Sequence, residues 1–600
     1  MIEYLKLFLV IYGWSLLCCG RQQEKNPYQY IAACSAIIVT LFVFALFQNL
    51  RNGIFFVYAV GLIGIIYGVK QAIYAVGSRG ALLHRIVVLT VIFLLAHSAS
   101  WGADYWTWDE FSHWGAQVEY LTLKGNLHTD ARLLLFPEYI PGLSLWRYFG
   151  HFVLKKSEAG GTYFANFLLI FLSIYGIAYD KSIGKNIFKF SIVFFGLLIF
   201  FQSLVSTLYA DPVQSILLLC ALKIASEKDL NNFKYLVAVT AAVLLSKHVG
   251  LIFSLYIIFY FAIVQIYVYK TPYRSTIYKS ATIFAIAVLL YLAWSKYLSY
   301  YSLSKDAIDV SPLTKDGVLD LFSKMKMHVL GVLDNRFPHA SYMPTIFEFE
   351  FVGKGISLGI FYVLILMIST SLMLLPNNDK RLNLTNYIFI IITSLSFLIF
   401  LAFIRGATLG LTGDIYSFSR YFVVVLYPFI FLQLLNAIDF SIKRSFCIGL
   451  IVFTVYLLVS PVFNITLSYK KRDLLGITVD HKAKAAIVKK YTKENSVVWY
   501  INTDVSPAYY MFRARVLPVE VKSFWNGFGL YLFDSLKINK DLDTRIEKFS
   551  RMMCDVDLIY VDNVPDEFWV QYTGLFDKTK GQAYIVKNGL NGHCSAAFLE

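Results

Sequence analysis

Apolar runs of membrane-crossing length alternate with short polar joints over the first 465 residues. Runs of about 18 or more apolar residues are long enough to cross a bilayer as helices. They fall at 2–19, 30–50, 53–76, 81–99, 161–179, 188–208, 212–226, 233–246, 250–269, 281–299, 356–375, 386–404, 420–438 and 446–465. The pattern predicts roughly fourteen transmembrane helices. No period of 20–50 residues repeats. From residue 466 the runs shorten to strand length, as in "SVVWYIN" (496–502), "VDLIYVD" (556–562) and "AYIVK" (583–587). A stretch of helical polarity, "DHKAKAAIVKKYTKE" (480–494), precedes the first. The expected fold class is an all-α polytopic membrane protein followed by a small C-terminal α/β domain. The expected division is 1–465 for the membrane part, with outer loops 100–160 and 300–355, and 466–600 for the soluble domain.

Composition agrees with this pattern. The chain is 58% hydrophobic and 16% charged, against about 25% charged in soluble domains. Met1 to Cys19 lacks a basic start and a small-residue cleavage site, so it reads as a retained span. The formal charge of +15 raises the question of nucleic acid, but its distribution excludes that partner. Lys and Arg concentrate in short joints: "YDKSIGKNIFK" (179–189), "EKDLNNFK" (227–234), "YKTPYRSTIYK" (269–279), "NNDKRLN" (377–383) and "SIKRS" (441–445). Alternation puts all five on one side, which the positive-inside rule makes cytoplasmic. The N-terminus and residues 466–600 then lie outside. Cys18, Cys19, Cys34, Cys220 and Cys447 sit in apolar runs and read as small core residues. Cys554 and Cys594 lie in the tail, where an oxidising compartment would let them pair.

Candidate chemistry collects on the outer side. In "YWTWDEFSHWGAQVEYL" (105–121), Phe111, Trp114, Val118 and Leu121 share one helical face, and Asp109, His113 and Gln117 share another. Asp109 and Glu110 either cap this helix or stand as working carboxylates beside Tyr105, Trp106, Trp108 and Trp114, a partly dry wall that raises a carboxyl pKa. "YADP" places Asp211 before Pro212, as an N-cap with proline at the first helical position or as a second acidic group. "SKHVG" places Lys247 and His248 at a break between spans, where Lys247 either snorkels or meets substrate. Arg405 and Arg420 flank "RGATLGLTGDIYSFSR" and either pair with Asp414 or clamp a phosphate. Glu138, in "LFPEYIPG", and Arg336, in "LDNRFPHASYMP", are lesser candidates to line a cavity, as is His113.

The arrangement of "WDEFSHWG", "YADP", "KHVGL" and "FSRY" over roughly residues 81–440 resembles the GT-C membrane glycosyltransferases that use polyprenyl-phosphate sugars. Its opening acidic pair is similar to that of protein O-mannosyltransferases and aminoarabinose transferases. "KHVG" carries His and Val where bacterial relatives more often show Asn and Glu. The resemblance implies an inverting sugar transfer to a glycan, lipid or protein acceptor at the outer face of a bacterial cytoplasmic (inner) membrane. It assigns Asp109 as general base, Glu110 or Asp211 as its positioning partner, and Lys247, His248, Arg405 and Arg420 to the donor phosphate. It implies no required cofactor, although paired carboxylates could hold a divalent metal. The alternatives are a flippase or transporter of lipid-linked glycans, for which midplane charges and repeats are expected, and an O-antigen ligase or polymerase.

Overall fold

The computed structural model describes residues 2–19, 26–74, 78–101, 103–105, 107, 109–154, 159–180, 182–201, 205–303, 358–373, 380–409, 418–438, 474–502, 508–522, 542–562, 564, 566–578, 581–588 and 594–599. They fall into two units. One comprises Met1–Trp101, Tyr139–Tyr300 and Ser304–Thr466, and the other Gly102–Glu138, Tyr301–Leu303 and Leu467–Glu600. The first half of the expected outer loop 100–160 therefore groups with the tail.

The first unit is helical. Helices overlap thirteen of the expected spans, and the last, 446–465, lies outside the described residues. Among the described residues, six helices are long and apolar enough to cross a membrane, and Ile86–Ser100, Leu230–Ser246 and Tyr421–Asn436 are shorter apolar segments. Burial sorts inner from outer helices. Gly160–Ala178 and Ala210–Ala225 are buried on every side, as central helices must be. Tyr273–Tyr300 shows Ile277, Phe284, Leu289 and Leu292 on its surface, as a lipid-facing helix does. Two boundaries shift. The joint read as 179–189 is already helical from Ile183, in Ile183–Phe201. The span read as 386–404 runs on through Leu409, in Lys380–Leu409.

Glycine sets the closest crossing in this unit. Helix Ile2–Cys19 lies on helix Leu50–Tyr74. A Cβ at Gly64 would stand 2.0 Å from the Gly13 carbonyl oxygen, and one at Gly13 would stand 1.9 Å from that of Gly61. Lipid tails are as apolar as leucine, so helices in a bilayer gain from such close backbone packing rather than from burial.

The second unit holds a five-stranded sheet of order β2-β1-β3-β4-β5. Its strands are β1 (Val497–Ile501), β2 (Glu520–Lys522), β3 (Leu558–Val561), β4 (Ala583–Asn588) and β5 (Cys594–Phe598). β1 pairs in parallel with β2 and β3, and β3–β4 and β4–β5 are antiparallel. Trp499, Phe549, Ile559, Phe568, Tyr572 and Tyr584 fill one core. A disulfide joins Cys554, just past helix Leu542–Met553, to Cys594 on β5. Helix Leu474–Tyr491 occupies the segment read as helical.

Gly64→Leu should lower the thermal unfolding midpoint of the purified protein by several degrees, the effect of an overpacking cost of about 1–3 kcal/mol or more. Gly184→Ala, with nothing within 4 Å of its Cβ, should leave the midpoint in place. Equal midpoints for the two variants would remove the close crossing from the account.

Candidate functional site

The predicted residues fall in both units. In the helical unit, Asp211 lies in the first turn of Ala210–Ala225 and is almost fully buried. Of the two sequence readings, N-cap or second acidic group, the cap does not hold, since Tyr209 occupies that position. Pro212 is tolerated there because amides of the first turn have no intrahelical acceptor. The Asp211 carboxylate is turned to Lys247, whose Nζ donates to Oδ1 at 2.7 Å. Lys247 is the extended residue (φ −166°, ψ 158°) between helices Phe233–Ser246 and Gly250–Ile263. Its side chain is 14% exposed, so it does not snorkel into water. Its ammonium lies 4.4 Å from the ring centroid of Tyr421, within cation–π range. His248 stands edge-on to Tyr139 at 5.7 Å.

Behind this pair is a polar chain that the sequence reading missed. Arg147, fully buried in helix Gly142–Leu154, donates through Nε and Nη2 to Asn166 Oδ1 at 3.1 and 2.7 Å. Asn166 Nδ2 donates to the Thr207 carbonyl at 3.3 Å. The Tyr209 amide donates to Thr207 Oγ1 at 3.1 Å. The chain thus fixes the turn that presents Asp211. The signal was present in "SLWRYFG" and "YFANFLL": a lone Arg and a lone Asn in apolar helices are costly and call for a partner.

In the second unit, Glu110–Trp114 forms one π-helical turn, closed by the Gly115 amide on the Glu110 carbonyl, and leads into helix Gly115–Lys124. Such wide turns are frequent at functional sites. Phe111, Trp114, Val118 and Leu121 are all buried, as their spacing predicts. The two carboxylates do different things. Glu110 Oε2 accepts the Thr107 amide at 2.9 Å, a capping role, and is fully buried. Asp109 makes no capping bond; its Oδ2 lies 3.9 Å from His113 Nε2. His113 Nδ1 is 2.6 Å from Ser112 Oγ, and its ring packs on Trp114 and Phe136. Trp106 and Trp108 lie outside the described residues.

This segment is held to the α/β fold by charge. Arg515, on helix Ala508–Val516, donates to Asp104 at 3.3 Å and to Glu119 at 3.4 Å, and lies over Tyr105 and Phe111. Arg132 pairs with Glu520 at 3.1 Å and Lys124 with Glu494 at 2.5 Å. Burial pushes the His128 imidazole down to about 4, so the neutral ring donates from Nε2 to the Pro137 carbonyl at 2.7 Å. Glu138 follows, half-buried.

Arg405 lies in helix Lys380–Leu409 and Arg420 in the first turn of helix Phe418–Ile438. Their side chains, and Asp414 and Arg336 altogether, lie outside the described residues. Among the described residues no three His, Cys, Asp or Glu side chains are grouped to hold a metal ion.

Removing one member of a buried ion pair costs about 3–5 kcal/mol, whereas replacing both by apolar groups is often neutral. Asp211→Asn or Lys247→Met alone should therefore lower the unfolding midpoint more than the double variant Asp211→Leu/Lys247→Met. Additive losses in the double variant would show that the two residues do not act as a pair.

No family model and no curated protein matches the chain. Among solved structures, it is similar to ArnT from Cupriavidus metallidurans bound to undecaprenyl phosphate, with a TM-score of 0.45 and 11% identity over 86% of this chain and 97% of that one.

Proposed function

We propose that the chain is a membrane glycosyltransferase that moves a sugar from a polyprenyl-phosphate donor to a glycan, lipid or protein acceptor at the outer face of a bacterial cytoplasmic membrane. The observation that carries this reading is the Lys247–Asp211 pair at an interrupted helix inside an apolar body. An ammonium retained there against its desolvation cost marks a functional site.

Transfer breaks the bond between the anomeric carbon and the phosphate oxygen, and the electron pair leaves on the phosphate. Lys247 is the group that stabilises this growing charge. Asp211 aims it through the 2.7 Å hydrogen bond, so its role shifts from positioning partner of Asp109 to positioning Lys247. The acceptor hydroxyl or amine forms the new bond from the opposite side, inverting the configuration, and gives its proton to Asp109. Three features favour Asp109 over Glu110 as that base. It makes no capping bond, its carboxylate is near His113, and it is largely buried. Glu110 is occupied by the Thr107 amide and supports the turn.

The fourteen-span topology, with the tail outside, is part of the same proposal. The Cys554–Cys594 disulfide supports it, because disulfides persist in oxidising compartments. In whole cells, a maleimide applied before and after reduction should label these two cysteines only afterwards. Labelling without reductant would put the tail on the cytoplasmic side and overturn the topology.

Asp109→Asn should lower sugar transfer from a radiolabelled polyprenyl-phosphate donor by about 10²-fold or more, the usual worth of a general base, while donor binding stays unchanged. Undiminished transfer in this variant would remove Asp109 from the reaction.

A further inference from the structure

The second end of helix Ala210–Ala225 carries a different collection of charge. A cavity of about 440 Å³ opens there, lined among others by Tyr28, Asp180, Lys185, Lys189, Lys223 and Glu227. It lies about twelve residues along the helix from Asp211, roughly 18 Å at 1.5 Å per residue. The residues come from four places in the sequence: the start of helix Gln29–Leu46, the joint after Gly160–Ala178, the first turns of Ile183–Phe201, and the end of Ala210–Ala225.

Three ammonium groups share this cavity with two carboxylates, and both carboxylates are engaged. Glu227 accepts from Tyr28 Oη and from Asn232 Nδ2. These neutral donors fix its orientation. Asp180 takes Lys189 at 3.1 Å and Lys185 at 4.0 Å. Among the described residues no carboxylate pairs with Lys223. Lys189 is itself buried. Lys185 also sits in the first turn of a helix, where the backbone dipole favours anions and disfavours cations. A cation placed there, beside a buried one and around a cavity of ligand size, marks a site rather than a solvated surface.

We infer that this cavity is a second binding site, for a phosphate-type oxyanion, at the opposite end of helix Ala210–Ala225 from Asp211 and Lys247. Lysines serve as point charges for phosphate, and the amides at the start of Ile183–Phe201 add their dipole. The shared chemistry is a phosphate group, carried either by an anionic phospholipid or by a small soluble molecule. The site is independent of the sugar-transfer reading.

The test uses the full chain purified in neutral detergent. Inorganic phosphate is titrated at constant ionic strength against chloride, with the unfolding midpoint as readout. Phosphatidic acid and phosphatidylcholine are compared by native mass spectrometry. Wild type should bind phosphate or phosphatidic acid in preference to chloride or phosphatidylcholine, and Lys185→Gln/Lys223→Gln should weaken that binding about tenfold or more, a loss of about 1.4 kcal/mol. Lys223→Gln alone, which removes no ion pair seen among the described residues, guards against misfolding of the double variant and should weaken binding in the same direction. A response to inorganic phosphate identifies a soluble ligand, and a response to phosphatidic acid alone identifies a headgroup. Either supports the site. Equal binding in wild type and in the Lys223→Gln variant, or no preference for phosphate over chloride and none for phosphatidic acid over phosphatidylcholine, overturns it.

Discussion

A charged group inside an apolar helical body persists only if another charge or a full set of hydrogen bonds repays its desolvation. The Lys247–Asp211 pair meets that demand at 2.7 Å, and its neighbourhood is organised around it. Helix Ala210–Ala225 begins with its carboxylate in the first turn, where the dipole supports it. The chain breaks at Lys247 so that the ammonium reaches that carboxylate. Tyr421 turns a ring face to the ammonium, and Arg147, Asn166 and Thr207 hold the preceding turn. Each element would be an odd choice alone, and together they make one buried charge tolerable.

The same reasoning separates the surroundings of Asp109 from those of Glu110, which side-chain chemistry alone does not. Adjacent carboxylates at a helix start are equivalent on paper. In the fold, one is three residues from an amide it can cap, and the other is one wide turn from a histidine. The i, i+4 spacing that puts His113 and Asp109 on one helical face brings their side chains to 3.9 Å beside the wide turn.

Much of the architecture was legible in the sequence because apolar period and length are strong signals. Helices stand at thirteen of the expected spans, and strands stand at the three runs read as strands. The strands that went unread are β2, three residues long, and β5, "CSAAF", whose small residues carry little β signal. Lys247, Asp211 and the Asp109 segment could be picked out because ionisable residues in an apolar chain are rare. Their pairing could not, since residues 211 and 247 are brought together only by the fold. Arg147 was passed over, although one arginine in an apolar helix carries the same signal as Lys247. For Asp211 the sequence left cap and site residue open, because Asp-Pro is a frequent helix start and the partner that decides between them lies thirty-six residues away.

The segment 103–138 carries this logic from packing to function. It bears Asp109 and belongs to one compact unit with the α/β fold. Arg515 joins it there by two carboxylates and two aromatic rings, with its own side chain only 5% exposed. A guanidinium suits that task because its planar fork serves two carboxylates at once while its face lies on a ring, which a lysine ammonium cannot do. The general base proposed at Asp109 would need to be held to within a fraction of an ångström, and a bare loop does not supply that stiffness. The tail therefore does more than decorate the membrane part: through Arg515, Lys124 and Arg132 it gives the acidic segment a rigid mount. In the proposed reaction, loss of that mount would act through the orientation of Asp109, leaving its chemistry intact.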